Sequence, residues 1–277
     1  MQSLNHQIIE LLDRNDFLHS TLLLGKIQDS GFVSSPYQDK VLEIAAEIWN
    51  LTARSKYDAV EKATGIARVL FDRVGVTGKT EGYKNLIDDP SRLYLHLALD
   101  GKETSPIILA CLYLILAEQV GLECHCYALP TQYFIHVEDA TGGFYVDPFD
   151  RGKFLTPEEF KKKVRKSLNK SRMVSASLYE KITRDQLIGR IAQQLKHVYI
   201  LKGKALEALR AVEVLTAIYP GSPELTRDRG ILYCEIEYFS KAVDDLRYYL
   251  KARPEAEDVR EIKKLAKMLR GFKEIIN

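Results

Sequence analysis

The sequence predicts an α+β chain. A helix-rich first domain with a small antiparallel sheet spans residues 1–180, and an all-α array of helical hairpins spans residues 181–277. Three observations carry this. Apolar residues recur at spacings of three and four from Leu4 to Phe71, as in Val41, Ile44, Ala45, Ile48 and Trp49. Beyond Gly121 the pattern shifts to short segments rich in β-branched and aromatic residues between turn signals. In the last third, matching residues return with a helical-repeat period.

The totals narrow the function classes. The 40 Lys and Arg residues nearly balance 38 Asp and Glu, for a formal charge of +2, so no global field steers the chain to nucleic acid or a membrane surface. Four cysteines, Cys111, Cys124, Cys126 and Cys234, include no CxxC pair and form no disulfide framework, which points to reduced thiols and a cytoplasmic setting. Glu10, Asp13 and Arg14 interrupt the first apolar pattern, unlike a signal peptide. The longest apolar run, Ile107 to Ala117, falls short of the roughly 20 residues that span a bilayer.

Along the chain, amphipathic helices fill Leu4 to Phe71, and the glycine-rich "GVTGKTEGY" (75–83) ends them. The stretch "DDPSRLYLHLALD" reads as a turn and a short helix. It leads to "TSPIILACLYLILAEQVG" (104–121), a buried central helix with Thr104 or Ser105 as N-cap and Pro106 at its first position. The segments "LECHCYAL", "TQYFIHVED" and "GFYVD" form a three-strand meander, with "DATGG" (139–143) as the second hairpin connection. A capping box, Thr156-Pro157-Glu158-Glu159, opens the next helix. Its continuation, Lys161 to Arg172, holds seven basic residues in twelve. Without interleaved aromatics this reads as a solvated face running into a linker, not a nucleic-acid patch.

Tyr199 and Tyr233, Ala208 and Ala242, and Pro220 and Pro254 are each 34 residues apart. The period marks a helix-turn-helix unit in which small alanines permit close contact and proline closes each unit. These residues, with Gly230 and Tyr233 as a "G..Y" element, resemble the tetratricopeptide repeat. Two units are too few to cover their own outer faces, so a closing helix near Ala256–Ile275 is expected to cap one end and the first domain the other. The resemblance places Gln193, His197, Arg227 and Ile231 toward a groove that holds a protein or peptide.

A helix that starts after a loop and packs on a small sheet is where papain-like and transglutaminase-like enzymes keep a catalytic Cys, with His and Asp on the strands. Here "YFIHVE", "VDPF" and "AEQVGLEC" resemble the corresponding elements of that family. The implied register puts Pro106 at the Cys, Gln132 at the His and Asp147 at the Asp. Proline has no nucleophile, and glutamine accepts no proton near neutral pH. Together with "LFDRVG", "DDPSRLYLHLAL", "SPIIL", "LPTQYFIHVE" and "RDRGILYCEIEYFSKAVDDLRYYL", these stretches resemble the SirB-type family, a transglutaminase-like domain followed by tetratricopeptide units. Thr104 departs from a glycine usual in that family two residues before the proline.

The resulting expectation is a catalytically inactive scaffold with a remnant cleft at Ser105, Pro106, Gln132 and Asp147, no cofactor, no metal and a protein or peptide partner. The alternative is an unconventional hydrolase or acyltransferase using Ser105, or Cys124 with His125, around Asp147. Strand alternation turns Cys124 and Cys126 away from His125, so "CHC" cannot converge on one ion.

Overall fold

The computed structural model describes residues 3–52, 58–78, 89–129, 132–140, 142–170 and 181–276. The chain opens with α1 (Leu4–Asp13), α2 (Phe17–Leu23), α3 (Gly25–Gln28), α4 (Ser35–Thr52) and α5 (Ala59–Arg68), which runs on into a π turn at Val69–Arg73. Side-chain caps set these boundaries. Asp16 accepts from the His19 N–H, and Asp58 accepts from Val60 and Glu61, satisfying donors that the first helical turn leaves free. The buried stripe Val41, Ile44, Ala45 and Ile48 of α4 follows the periodicity read from sequence.

After a 3-10 turn at Pro90–Leu93 and the short α6 (Leu95–Leu99) comes α7 (Pro106–Gln119), in which every residue from Pro106 to Ala117 is buried. A helix apolar on all sides must be enclosed on all sides. Here α4, α5, α6, the sheet and the repeat array supply the walls. Gly121, at φ 63°, turns the chain out of α7 in the left-handed conformation that a Cβ disfavours. The Leu122 N–H then reaches back to the Ala117 carbonyl at 2.8 Å.

The sheet holds five strands, β1 (Cys124–Ala128), β2 (Tyr133–Val137), β3 (Phe144–Asp147), β4 (Lys153–Leu155) and β5 (Lys181–Ile182), in the order β4-β3-β2-β1-β5. All neighbours are antiparallel. The meander is therefore larger than the three strands expected, because β4 and β5 are too short and too lysine-bearing to show alternation. The first strand pair closes at Leu129 and Gln132, whose backbones exchange hydrogen bonds of 2.8 and 3.4 Å, with Pro130 and Thr131 outside the described residues. In the second connection the Gly143 N–H donates to the Asp139 carboxylate at 2.9 Å, and Thr141 lies outside the described residues.

Helix α8 (Pro157–Lys170) begins with the expected capping box. Thr156 N–H donates to Glu159 Oε2 at 2.8 Å and Glu159 N–H donates back to Thr156 Oγ1 at 3.2 Å. This helix covers one sheet face through Phe160 and Val164, which pack with Leu129, Phe134 and Leu155. Lys161, Lys162, Arg165 and Lys166 are exposed, as a solvated face requires, but Lys163 is not. The end of the basic run, Ser171 and Arg172, lies outside the described residues, as do residues 79–83 of the glycine-rich stretch.

The array comprises α9 (Arg184–Leu201), α10 (Ala205–Ile218), α11 (Pro223–Glu235), α12 (Phe239–Ala252) and the closing α13 (Val259–Ile276). Tyr199, Tyr233, Ala208 and Ala242 are all buried, and Pro220 and Pro254 sit in connecting turns. Helix α10 packs on α1 and α3, where Arg210 donates to the Ile27 carbonyl at 3.1 Å. One apolar core runs without interruption from Ile8 to Leu269. The expected boundary near 180 lies between α8 and β5, yet β5 still pairs with β1.

Candidate functional site

The N-terminus of α7 is the position where the resemblance puts a nucleophile. Its approach strand is tied down by backbone bonds. Thr104 N–H donates to the Thr77 carbonyl at 3.1 Å, and Ser105 N–H donates to the Arg92 carbonyl at 3.0 Å. Thr104 Oγ1 donates to the same Arg92 oxygen at 3.2 Å. Two donors that could face a developing oxyanion are therefore committed. Pro106 follows, with no N–H to offer. Ser105 holds the N-cap position and Pro106 the first helical position, as expected, although the Ser105 side chain makes no cap bond. Its Oγ is buried and has no hydrogen-bond partner among the described residues.

Asp147 ends β3 and is 4% exposed. Its Oδ1 accepts from the Phe149 and Asp150 N–H groups at 3.1 and 3.2 Å and so caps the 3-10 turn Pro148–Asp150. Its Oδ2 accepts from Lys163 Nζ at 2.7 Å. The carboxylate that would orient a histidine is thus held by a lysine of α8, whose ammonium also sits 5.4 Å from the Phe134 ring centre. Phe149 and, less closely, Leu109 of α7 lie against Gly78, where an added Cβ would collide with the Phe149 ring. Gln132 is half-buried at the mouth of the β1–β2 hairpin, just before β2 rather than in it. Of the four residues expected to line a remnant cleft, Ser105, Pro106 and Asp147 are buried and Gln132 is half-buried.

Strand alternation separates the other nucleophile–base pair. Cys124 and Cys126 face the core, and burial pushes the Cys124 thiol up to about 12, far from a thiolate at neutral pH. His125 points the other way, with Nε2 2.8 Å from Glu138 Oε1. Cys124 with His125 is not a dyad in this fold. His136, opposite His125 in the ladder, packs against Tyr145 with ring centres 4.7 Å apart.

On the repeat array, Gln193 and His197 are exposed along α9, whereas Ile231 is half-buried against the core. Arg227 does not present a free guanidinium. Its Nη2 donates to Asp228 and its Nη1 to Asp258, both at 2.8 Å, and it lies over the Tyr249 ring. Asp228 also accepts from the nearly buried Lys196 at 2.7 Å. This ion-pair line stitches α9, α11 and the start of α13 together. Gln193 edges a small pocket of about 180 Å³ with Gly189, Arg190, Leu215, Tyr219 and Leu225.

A buried central helix packed on a small antiparallel sheet is matched by sequence as well. The pattern of the transglutaminase-like superfamily covers residues 35–193, more than half of the chain. The chain belongs to the transglutaminase-like superfamily. A tetratricopeptide repeat pattern covers residues 195–267, giving the SirB-type arrangement. Relatives include a UPF0162 protein of Xylella fastidiosa, 26% identical over 201 residues, or 72% of this chain and 70% of that one. They also include Protein SirB1 of Salmonella typhimurium and UPF0162 protein YchA of Escherichia coli, each 24% identical over 59% of this chain and 61% of theirs. No solved structure matches the chain.

Within this transglutaminase-like domain, sequence reasoning missed Lys163, which was grouped with a basic run. A signal was available: Lys163 is three residues after Phe160 and one before Val164, so it lies near the buried stripe of an amphipathic helix. Also missed were Glu123 and Glu138, which flank His125 across the ladder.

Proposed function

We propose that this transglutaminase-like protein is a catalytically silent scaffold that binds a protein or peptide partner through its tetratricopeptide array. The observation that carries the reading is the state of the former catalytic constellation. Proline heads the helix, glutamine closes the hairpin, and the aspartate is consumed by Lys163 and two backbone donors. Among the described residues such a site has no nucleophile hydrogen-bonded to a base. Binding falls to the exposed first-helix face of the array around Gln193 and His197, since Arg227 and its ion pairs serve the internal stitching. Four free cysteines favour a cytosolic setting. Among the described residues no helix is long and apolar enough to cross a membrane.

A second reading rests on one observation, the buried and unpartnered Ser105 hydroxyl at the helix tip. It makes Ser105 an acyl-transfer nucleophile. Serine-directed fluorophosphonate and thiol-directed probes on the full chain separate the two readings. The scaffold predicts no labelling at pH 7 and no turnover on amide and ester panels. Labelling abolished by Ser105→Ala would replace the scaffold with the second reading. A peptide-array screen supplies the binding arm: recovered peptides should lose affinity with Gln193→Glu or His197→Glu while stability is unchanged.

A further inference from the structure

We propose that Glu123, His125 and Glu138 form a binding site for one divalent transition-metal ion of the zinc class. Register brings them together. Cys124 pairs with Val137 and His125 with His136, and the Glu138 N–H donates to the Glu123 carbonyl at 3.3 Å, so Glu123 stands opposite Glu138 at the end of the ladder. Alternation then sets His125 on the same face, two residues along. One imidazole nitrogen and two carboxylate oxygens all lie within 4.8 Å of one another.

The local charge balance also favours a cation. Like charges set directly across a ladder repel. Among the described residues no Lys or Arg makes an ion pair with Glu123 or Glu138, and only His125 Nε2, 2.8 Å from Glu138, meets that pair. The nearby Arg184 is engaged by Glu118 at 2.9 Å and by the Asn15 carbonyl. Farther along the same face, Phe160 of α8 packs over Tyr127 and Tyr145, but Glu123 and Glu138 are exposed beyond its reach.

The donor set selects the ion. One imidazole with two carboxylates suits zinc and its neighbours; an all-oxygen set would suit calcium or magnesium, and thiolates would suit copper(I). Cys124 and Cys126 contribute nothing, because they face the core. Metal–ligand bonds of about 2.0–2.2 Å require the three donors to draw in, which exposed glutamates do by rotation. Three protein ligands leave a fourth position open to water or to an anionic small molecule from solvent, since Glu123 and Glu138 are exposed.

The test is calorimetric titration of Zn²⁺ into the full chain after chelator dialysis. The expected result is one equivalent bound at micromolar or lower concentration, weakened at least tenfold by Glu123→Gln and by His125→Ala and unchanged by His6→Ala. Co²⁺ should give visible d–d absorption in the wild type that disappears in His125→Ala. Circular dichroism and thermal melts in chelator confirm that each variant is folded. No stoichiometric binding by the wild type, or wild-type binding by either site variant, overturns the proposal.

Discussion

Replacing Lys163 with methionine isolates the contact that occupies Asp147, the position the resemblance gives to an orienting aspartate. Asp147 has a side chain 5% exposed, and Lys163 is 33% exposed, with 2.7 Å between Nζ and Oδ2. Removing one partner of a fully buried pair costs about 3–5 kcal/mol, because the other charge is left without compensation. Here two backbone N–H groups continue to serve Oδ1, and solvent reaches the lysine side. Exposed pairs contribute only about 0–1 kcal/mol, so an intermediate loss of about 2 kcal/mol is expected for Lys163→Met. Methionine keeps most of the aliphatic stem packed, which confines the loss to the charge. Urea unfolding at pH 7 reads it as a lowered midpoint at unchanged slope. Asp147→Asn should be less costly, because its amide oxygen can still cap the 3-10 turn. Combining it with Lys163→Met should show a coupling of about 1–2 kcal/mol in the double-mutant cycle. A Lys163→Met loss below about 0.5 kcal/mol, or strict additivity, would refute the claim that this lysine holds the aspartate.

Two further outcomes follow from burial. His96 is buried among Phe32, Tyr37 and Tyr94, with Nδ1 unpartnered among the described residues, and burial lowers its pKa against a weaker opposing pull from Asp100. The native state then binds fewer protons than the unfolded chain below about pH 6.5, so stability is full above that value and falls as pH drops toward the folded pKa. His96→Phe should flatten the slope of urea midpoints between about pH 5 and 7, and an unchanged slope would refute the assignment. Gly230 lets α11 approach α12, since an added Cβ would sit 3.0 Å from the Asp245 Cβ and from a Leu246 methyl. Overpacking at about 1–3 kcal/mol should outweigh the roughly 1 kcal/mol helix-propensity gain of Gly230→Ala, leaving a net loss of about 1 kcal/mol by thermal melting.

Legibility in the sequence tracked the range of the forces involved. The central helix, the capping box at Thr156 and the repeat period were readable because each depends on residues within one or two turns, or on a fixed period. The closing helix came within three residues of its expected start, Val259 against Ala256. The strands β4 and β5 were not readable, because three- and two-residue segments carry no period and are ordered by their neighbours. At the site, Pro106 and Gln132 were legible as identities, since what a side chain can donate or accept is a property of the residue itself. Ser105 was legible as the N-cap position but not as a cap without a side-chain bond: residue type at an N-cap favours the bond, but the local rotamer and packing decide whether it forms.

By itself the sequence determined the order of the main helices and of strands β1 to β3, the SirB-type pairing of two architectures and the identities of Pro106 and Gln132. Tertiary structure decided which charges meet. It turned Lys163 onto Asp147 from a separate helix, tied Arg227 to Asp258 across 31 positions, and set the Tyr94 and Tyr199 hydroxyls 2.8 Å apart to join the domain to the array. It also placed Glu123 opposite Glu138 beside His125. Local propensity follows from a residue and its near neighbours, but Coulomb interactions and hydrogen bonds depend on distances of a few ångströms between groups far apart in the chain. Those distances are fixed only when the core has packed.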